Sequence, residues 1–560
     1  MNMMNGAAVA GLVDKHKPTL EKAAAAAGAR GYWSAYPEHL KAYGETAKDD
    51  GEAAFKAHLG KAFDIEVPGA SGTVGSEQSP FGVDLGITYP KPDIDAVLKA
   101  AQGAMKGWRR ASADQRAAVC VEILERLNKK TPEILFAVMH TTGQAFMMAF
   151  QAGGPHAQDR GLEAVTYGWM AQTQVPAGEV TWEKPQGKNP PLVMKKRWHV
   201  SPRGVAVVVG CATFPTWNGY PGLFASLVTG NPVVVKPHPG AVLPLAITVT
   251  VAREVLAEAG FDPNLVTLAA DSVDAPITKE LCTRPEVKII DFTGSTAFGD
   301  WLEQNCRQAQ VYTEKAGVNF VVIDSTNDFK GMVRNMAFTL SLYTGQMCTT
   351  TQNIFVPKGG IETEDGHKSF DEVAQALAAG VDKFLSDPAR AVEVLGAVQN
   401  PATAARIDEA KGFGTVLLDS RSIEHPYLKG ARVRTPLLLA VDKKAADTYC
   451  RECFGPVAFV IACDDTADCL ATARRTAMEH GAITAGLYSV KPDVVEDAVE
   501  ACLDAQVALS VNLTGGVFVN QTAAFSDFHA TGGNPAANAS LTDLAFVANR
   551  FRFVGVREPA

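Results

Sequence analysis

Through residues 93–110 and 112–130 apolar positions recur every three or four residues, the pattern of two amphipathic helices, with Ser112 placed to cap the second. After Val200 the pattern shortens to β-branched runs: "GVAVVVG", "NPVVVKP", "LVTLAAD" and "VKIIDFTG". Between them stand the helical stretches "PGLFASLVTG", "LPLAITVTVAREVLAEAG" and "APITKELCTR". Near-continuous Val/Ile runs alternating with helices predict an α/β fold, a doubly wound parallel sheet covered on both faces, over about 200–316. A second alternation opens at "NFVVIDS" and runs past "VAFVIACDD", which predicts a second α/β lobe. Residues 1–80 are Ala- and Gly-rich, with helical "TLEKAAAAAG" and "GEAAFKAHLGKAF", and end in the loop-like "VPGASGTVGSEQSPFG". They carry no evident chemistry and are expected to pack or to contact a second subunit.

At 560 residues the chain exceeds one simple core, so two or three lobes are expected. Hydrophobic content of 47% and charged content of 20% are ordinary for a globular protein. The net charge of −9 argues against a nucleic-acid partner. The start, "MNMMNGAAVAGLVDKHK", lacks a basic leader and a sustained apolar core, and no apolar run reaches membrane-spanning length. Ten scattered cysteines form no disulfide framework, and Cys450 and Cys453 in "YCREC" are a lone pair with no partner pair for zinc. A cytoplasmic protein with reduced thiols and no bound metal is expected.

Five places carry candidate chemistry. In "DFTGSTAFGDWLEQN" a strand runs into Gly294 and Ser295 and then a helix, a turn that suits an anion at the helix start but is also ordinary turn chemistry. In "NPVVVKPHPGA" Lys236 ends a buried strand, where it could bind a ribose or phosphate or stand in solvent. Asn218 in "GCATFPTWNGYPG" offers an amide donor for an oxyanion, or a turn. Glu314 in "VYTEKAGVNFVVI" reads as a general base or a strand-end acid. Cys120, Cys463 and Cys502 sit in apolar or helical surroundings. Cys348 in "LYTGQMCTTTQN" follows a glycine and is flanked by Gln346 and threonines, the most open setting and the best candidate nucleophile.

In this order the segments "FPTWN", "VVVKPH", "FTGSTAFG", "YTEKAG", "YTGQMCTT" and "RECFGPVAF" resemble the aldehyde dehydrogenase superfamily over about residues 90–550. The resemblance implies an NAD(P)-binding Rossmann-type domain at 90–183 and 200–316 and a catalytic domain at 317–535. It also implies oligomerisation segments at 184–199 and 536–560, behind a helical extension at 1–89. It implies that Cys348 attacks an aldehyde, that Asn218 and the Cys348 N–H hold the oxyanion, and that Glu314 activates the hydrolytic water. Lys236 would bind the adenosine ribose, Ser295 with Gly294 the pyrophosphate, and Glu452 the nicotinamide ribose. Phe454 would pack near the nicotinamide.

Where many NAD-dependent members have a glutamate three residues after the lysine, this chain has Pro239. Losing that carboxylate, with Lys236 and His238 nearby, implies NADP, with NAD as the alternative. The long N-terminal extension and the "HATGGNPAANASLTD" tail are similar to the phenylacetate-degradation (PaaN-like) semialdehyde dehydrogenases. The implied substrate is an aliphatic semialdehyde from aromatic-ring cleavage, with or without coenzyme A. Arg109–Arg110 and Lys195–Arg197 could meet a CoA tail, or be a solvated helix face and an exposed hairpin. The latter segment and "FVANRFRFVGV" would form the subunit-pairing sheet of a homodimer or dimer of dimers. Two rivals stand beside this: a CoA-acylating dehydrogenase, against which Glu314 argues, and a non-catalytic binding protein on the same scaffold.

Overall fold

A computed structural model of the chain describes residues 3–315 and 317–560. Ala316, which closes the expected cofactor domain, and Met1 and Asn2 lie outside the described residues. Helices α1 (Met3–Ala29) and α2 (Ala47–Lys56) belong to the N-terminal segment. Then come α3 (Ile94–Trp108) and α4 (Ala113–Lys129). Asp93 accepts from the Ala96 N–H at the start of α3, and Ser112 with Gln115 closes a capping box on α4. Helices α5 (Thr131–Thr142) and α7 (Pro155–Gln172) are largely buried, and α6 (Phe146–Gly153) between them buries Ala149, Phe150 and Gly153.

An exposed hairpin, β1 (Val180–Gln186) and β2 (Asn189–Pro202), leads into a five-stranded sheet. Its strands are β3 (Val205–Val209), β4 (Val233–Lys236), β5 (Val266–Leu268), β6 (Val287–Gly294) and β7 (Gln310–Lys315). All are parallel, in the order β5-β4-β3-β6-β7. Helices α8 (Pro215–Val228), α9 (Leu243–Glu258), α10 (Thr278–Thr283) and α11 (Thr296–Asn305) make the crossovers. The four Val/Ile runs read from the sequence are β3 to β6. They are uninterrupted because helices cover the sheet on both sides and leave no polar face.

The second sheet has seven strands: β8 (Phe320–Ile323), β9 (Asn353–Pro357), β10 (Thr415–Leu418), β11 (Leu437–Asp442), β12 (Val457–Cys463), β13 (Thr484–Tyr488) and β14 (Ala508–Val511). The order is β10-β11-β12-β9-β8-β13-β14, and only the β10–β11 pair is antiparallel. Helix α12 (Phe329–Ser341) leads from β8 toward the cysteine loop. Strand β15 (Phe551–Pro559) returns antiparallel to β2 and makes the hairpin a three-stranded arm. Among the described residues no helix is long and apolar enough to cross a membrane.

The N-terminal segment is part of the body. Helix α1 packs on α4 and α7, and α2 on α5, with Leu20 and Phe55 in the main core. Buried Glu77 accepts from the Val242 and Leu243 N–H groups, capping α9 from outside its own sequence neighbourhood.

Candidate active site

Parallel register brings the candidate residues to one edge. Lys236 pairs with Val209, Phe292 with Val209, and Thr293 with Glu314, so the carboxyl ends of β3, β4, β6 and β7 lie together. Asn218 sits in the first turns of α8, just past β3. Ligands bind outside the carboxyl ends of such sheets because the crossovers open there and helix amino ends point outward.

Cys348 reaches this edge from the second lobe through a strained turn. Tyr343 and Thr344 both hold φ 52°, and Gly345 follows at φ 62°. A left-handed β-branched residue is unfavourable and persists only where its surroundings fix it. Here Tyr343 Oη donates to Thr142 O at 2.5 Å and Thr344 Oγ1 to Leu395 O at 2.8 Å. Gln346 Nε2 donates to Tyr343 O and Ala397 O. A Cβ on Gly345 would stand 2.5 Å from Gly455 O, so the Gly-Gln pair is a packing requirement beside the nucleophile. Beyond the cysteine, buried Asn319 donates to the Cys348 and Thr350 carbonyls and accepts from the Ile483 and Thr484 N–H groups. Asn319 ties the cysteine loop to two strands, a role its sequence neighbourhood, "KAGVNFVV", does not announce.

Three of the predicted residues converge. Asn218 Nδ2 donates to Glu314 Oε2 at 3.2 Å. The fourth member, His529, was not singled out from the sequence: its Nε2 lies 3.1 Å from Glu314 Oε1 and 3.6 Å from Cys348 Sγ. Burial and then the Glu314 carboxylate push the Cys348 thiol well above its ordinary range. Burial would raise Glu314 too, but the adjoining His529 imidazole, its hydrogen bond and the Cys348 thiol outweigh this and hold the carboxyl low. Buried Arg160 stacks over the Trp217 ring at 3.9 Å, with its Nε and Nη2 lacking partners among the described residues. Its positive charge favours thiolate at Cys348.

Of the residues expected to hold the dinucleotide, Lys236, Gly294 and Ser295 stand at this edge. Ser295 is the exposed N-cap of α11 and its side chain makes no capping bond. A Cβ on Gly294 would meet the Phe292 ring at 2.7 Å. Glu452 and Phe454 flank Cys453, whose N–H donates to Gln352 Oε1 at 2.7 Å, which docks their loop on the segment following Cys348. Burial pushes Glu452 up to about 7, with Arg406 opposing. Lys236, buried, donates to Asp271 Oδ1 at 2.6 Å and to Pro237 O. The donor set suits a ribose diol and a pyrophosphate.

One expectation is corrected here. Lys236 and His238 do not form a free cationic pair for a 2′-phosphate. Burial, then the neighbouring Lys236, push His238 down to about 4, so its imidazole is neutral, and its Nδ1 accepts from the Gly240 N–H. The charge of Lys236 is matched by Asp271, which also accepts from the Ile277 N–H.

A cavity of about 680 Å³ is lined in part by Cys348, Asn218 and His529. Its walls are largely apolar, with Met147, Met148, Phe214, Trp217, Phe338 and Met347. Tyr32, Trp33, Ser34 and Glu38 complete it, so the N-terminal segment that showed no chemistry in sequence walls the cavity. Trp33 packs edge-on against Phe525 at 4.9 Å, and Asp159 accepts from Ser34 Oγ at 2.5 Å and the Ala35 N–H at 2.9 Å. Nothing short of the folded chain brings residues 32–38 to residues 147–160.

Known proteins share the fold and much of the sequence. The Aldehyde dehydrogenase family profile matches residues 88–534. The crystal structure of an NAD-dependent aldehyde dehydrogenase from Burkholderia multivorans superposes with a TM-score of 0.97 at 59% identity, covering 98% of this chain and 99% of that one. The chain is 28% identical to N-succinylglutamate 5-semialdehyde dehydrogenase of Chromobacterium violaceum over 68% of its own length and 74% of the relative's. It is 26% identical to vanillin dehydrogenase of Pseudomonas fluorescens, over 66% of its length and 72% of the relative's.

Proposed function

The chain belongs to the aldehyde dehydrogenase family and is an oxidoreductase acting on aldehydes; from that premise we propose that it oxidises a bulky free aldehyde to the carboxylate with NAD, through Cys348. Cys348 and Asn218 line one cavity, and buried Glu314 adjoins both, hydrogen-bonded to Asn218; this convergence carries the reading. Cys348 Sγ attacks the carbonyl carbon and the carbonyl oxygen takes the negative charge. The Asn218 amide and the Cys348 N–H hold that oxygen; one such donor is worth about 2.7–4 kcal/mol. When bound, a nicotinamide dinucleotide would supply the hydride acceptor, and Lys236, Ser295, Gly294, Glu452 and Phe454 would hold it. Glu314, ionised and buried, takes a proton from the water that resolves the thioester, which favours hydrolysis over transfer to coenzyme A.

NAD is favoured over NADP because a 2′-phosphate would meet a neutral His238 and a Lys236 already paired with Asp271. The NAD dependence of the Burkholderia multivorans protein supports the same choice. For the substrate, the size and apolar lining of the cavity favour a bulky or aromatic-derived aldehyde or semialdehyde. Its lining also carries the carboxylates Glu38, Glu393 and Asp527, which oppose the phosphates of coenzyme A. A product of phenylacetate-type ring cleavage fits if it arrives as the free semialdehyde. The exposed β1–β2–β15 arm is the surface we assign to pairing in a homodimer or dimer of dimers. Ten free cysteines support a reducing, cytoplasmic setting. The test is steady-state NADH and NADPH formation on short, aromatic and CoA-linked aldehydes, with Cys348→Ala as the blank. A best substrate that is CoA-linked, or product CoA thioester formed from free aldehyde, overturns the substrate or route proposed here.

A further inference from the structure

We propose that His529 is a catalytic residue that accepts the Cys348 thiol proton through Nε2 and holds it beside Glu314 while sulfur attacks. The inference rests on the reading of Cys348 as nucleophile. His529 is 1% exposed and sits in the loop between β14 and β15. Its Nε2 faces Cys348 Sγ at 3.6 Å and Glu314 Oε1 at 3.1 Å, so one ring nitrogen serves both the nucleophile and the carboxylate. The ring meets Trp217 edge-on at 4.6 Å and 86°, which fixes its plane. Nδ1 is buried with no partner among the described residues, so no second hydrogen bond commits the ring to one tautomer.

The environment requires such an acceptor. A half-buried thiol beside a carboxylate tends to keep its proton, and His529 Nε2, 3.6 Å from Sγ, is placed to accept it. Imidazole is intrinsically a stronger base than a carboxylate. Other titratable groups around the ring are Arg160, which reaches it across Trp217, Cys211 near Glu314, and exposed Asp527 on its own loop. Arg160 favours thiolate at Cys348, whereas Glu314 disfavours it.

The step balances. The S–H bond breaks, an Nε2–H bond forms, and thiolate, imidazolium and carboxylate together carry the same net charge as thiol, imidazole and carboxylate. The thiolate electron pair then makes the S–C bond. On thioester hydrolysis the departing sulfur regains a proton from Nε2, and Glu314 receives the proton of the attacking water.

The pH dependence of Cys348 alkylation by iodoacetamide tests this in the full-length protein. The parent should show a reactive thiolate at neutral pH. His529→Asn and His529→Gln should lose at least about tenfold in rate there and recover only at alkaline pH. NADH binding by fluorescence checks that each variant is folded. Superimposed pH profiles for parent and folded variants overturn the proposal. If both variants fail to fold, ultraviolet thiolate absorbance of the parent against Cys348→Ala decides, and no thiolate at neutral pH overturns it. Should Cys348→Ala retain activity, the nucleophile reading fails first; Cys348 essential but indifferent to His529 sinks this inference alone.

Discussion

Asn218 Nδ2 and Glu314 Oε2 are hydrogen-bonded at 3.2 Å, so the amide assigned to the oxyanion and the carboxylate assigned to water hold each other in place. Asn218→Ala should therefore damage both half-reactions. The lost oxyanion donor predicts a fall of about 10²–10³ in kcat, read in the first NADH turnover. Thioester hydrolysis should slow as well, because Glu314 loses a donor that orients it. A variant with a normal first turnover and slow hydrolysis alone would assign Asn218 only to positioning Glu314.

The cofactor prediction turns on one buried pair. Lys236 and Asp271 meet at 2.6 Å, both side chains nearly inaccessible. NAD should give the higher kcat/KM in the parent. Asp271→Asn removes the carboxylate and leaves Lys236 with an unmatched charge, which should narrow the preference for NAD over NADP by about tenfold, equivalent to about 1.4 kcal/mol. An unchanged ratio in a variant that still binds NAD would place the 2′-position away from this pair.

The sheets were legible because buried parallel strands print as unbroken Val/Ile runs, and the roles of Cys348, Glu314 and Asn218 came from motif order. Their meeting depends on register: Glu314 faces Thr293 only because β6 and β7 are parallel and aligned. His529 was invisible for a different reason. It lies 181 residues beyond Cys348 in a loop without periodicity, and only the fold puts it 3.6 Å from the thiol. Lys236 and His238 misled because sequence shows side-chain type but not burial. The strand end that looked cationic is neutralised by Asp271, 35 residues away.

The N-terminal segment should tune substrate choice. Trp33 lines the cavity and rests against Phe525. Trp33→Ala removes apolar wall from the cavity without touching Cys348, Glu314 or Asn218 in sequence. KM for bulky aldehydes should rise severalfold, with kcat on a short aldehyde nearly unchanged. Equal effects on short and bulky substrates would point to general loosening of the fold.

The same wall carries a titrating group whose effect on stability has a definite sign. Burial, against hydrogen bonds from Ser34 and Ala35, raises Asp159 from 3.8 to about 7. Between those values the folded protein holds a proton that the unfolded chain has released, so stability falls as pH rises through this window. Above about 7 both forms are ionised and this contribution is flat. The slope is at most about 1.4 kcal/mol per pH unit. Asp159→Asn preserves the acceptor for the Ala35 N–H, and Ser34 Oγ can turn its hydrogen to Tyr36 O, 3.0 Å away. The variant should therefore gain Tm relative to the parent progressively from mildly acid to neutral pH and hold that gain at higher pH. A Tm difference independent of pH would mean that Asp159 is ionised in the folded protein throughout, with a solvated path to its carboxylate through the cavity wall.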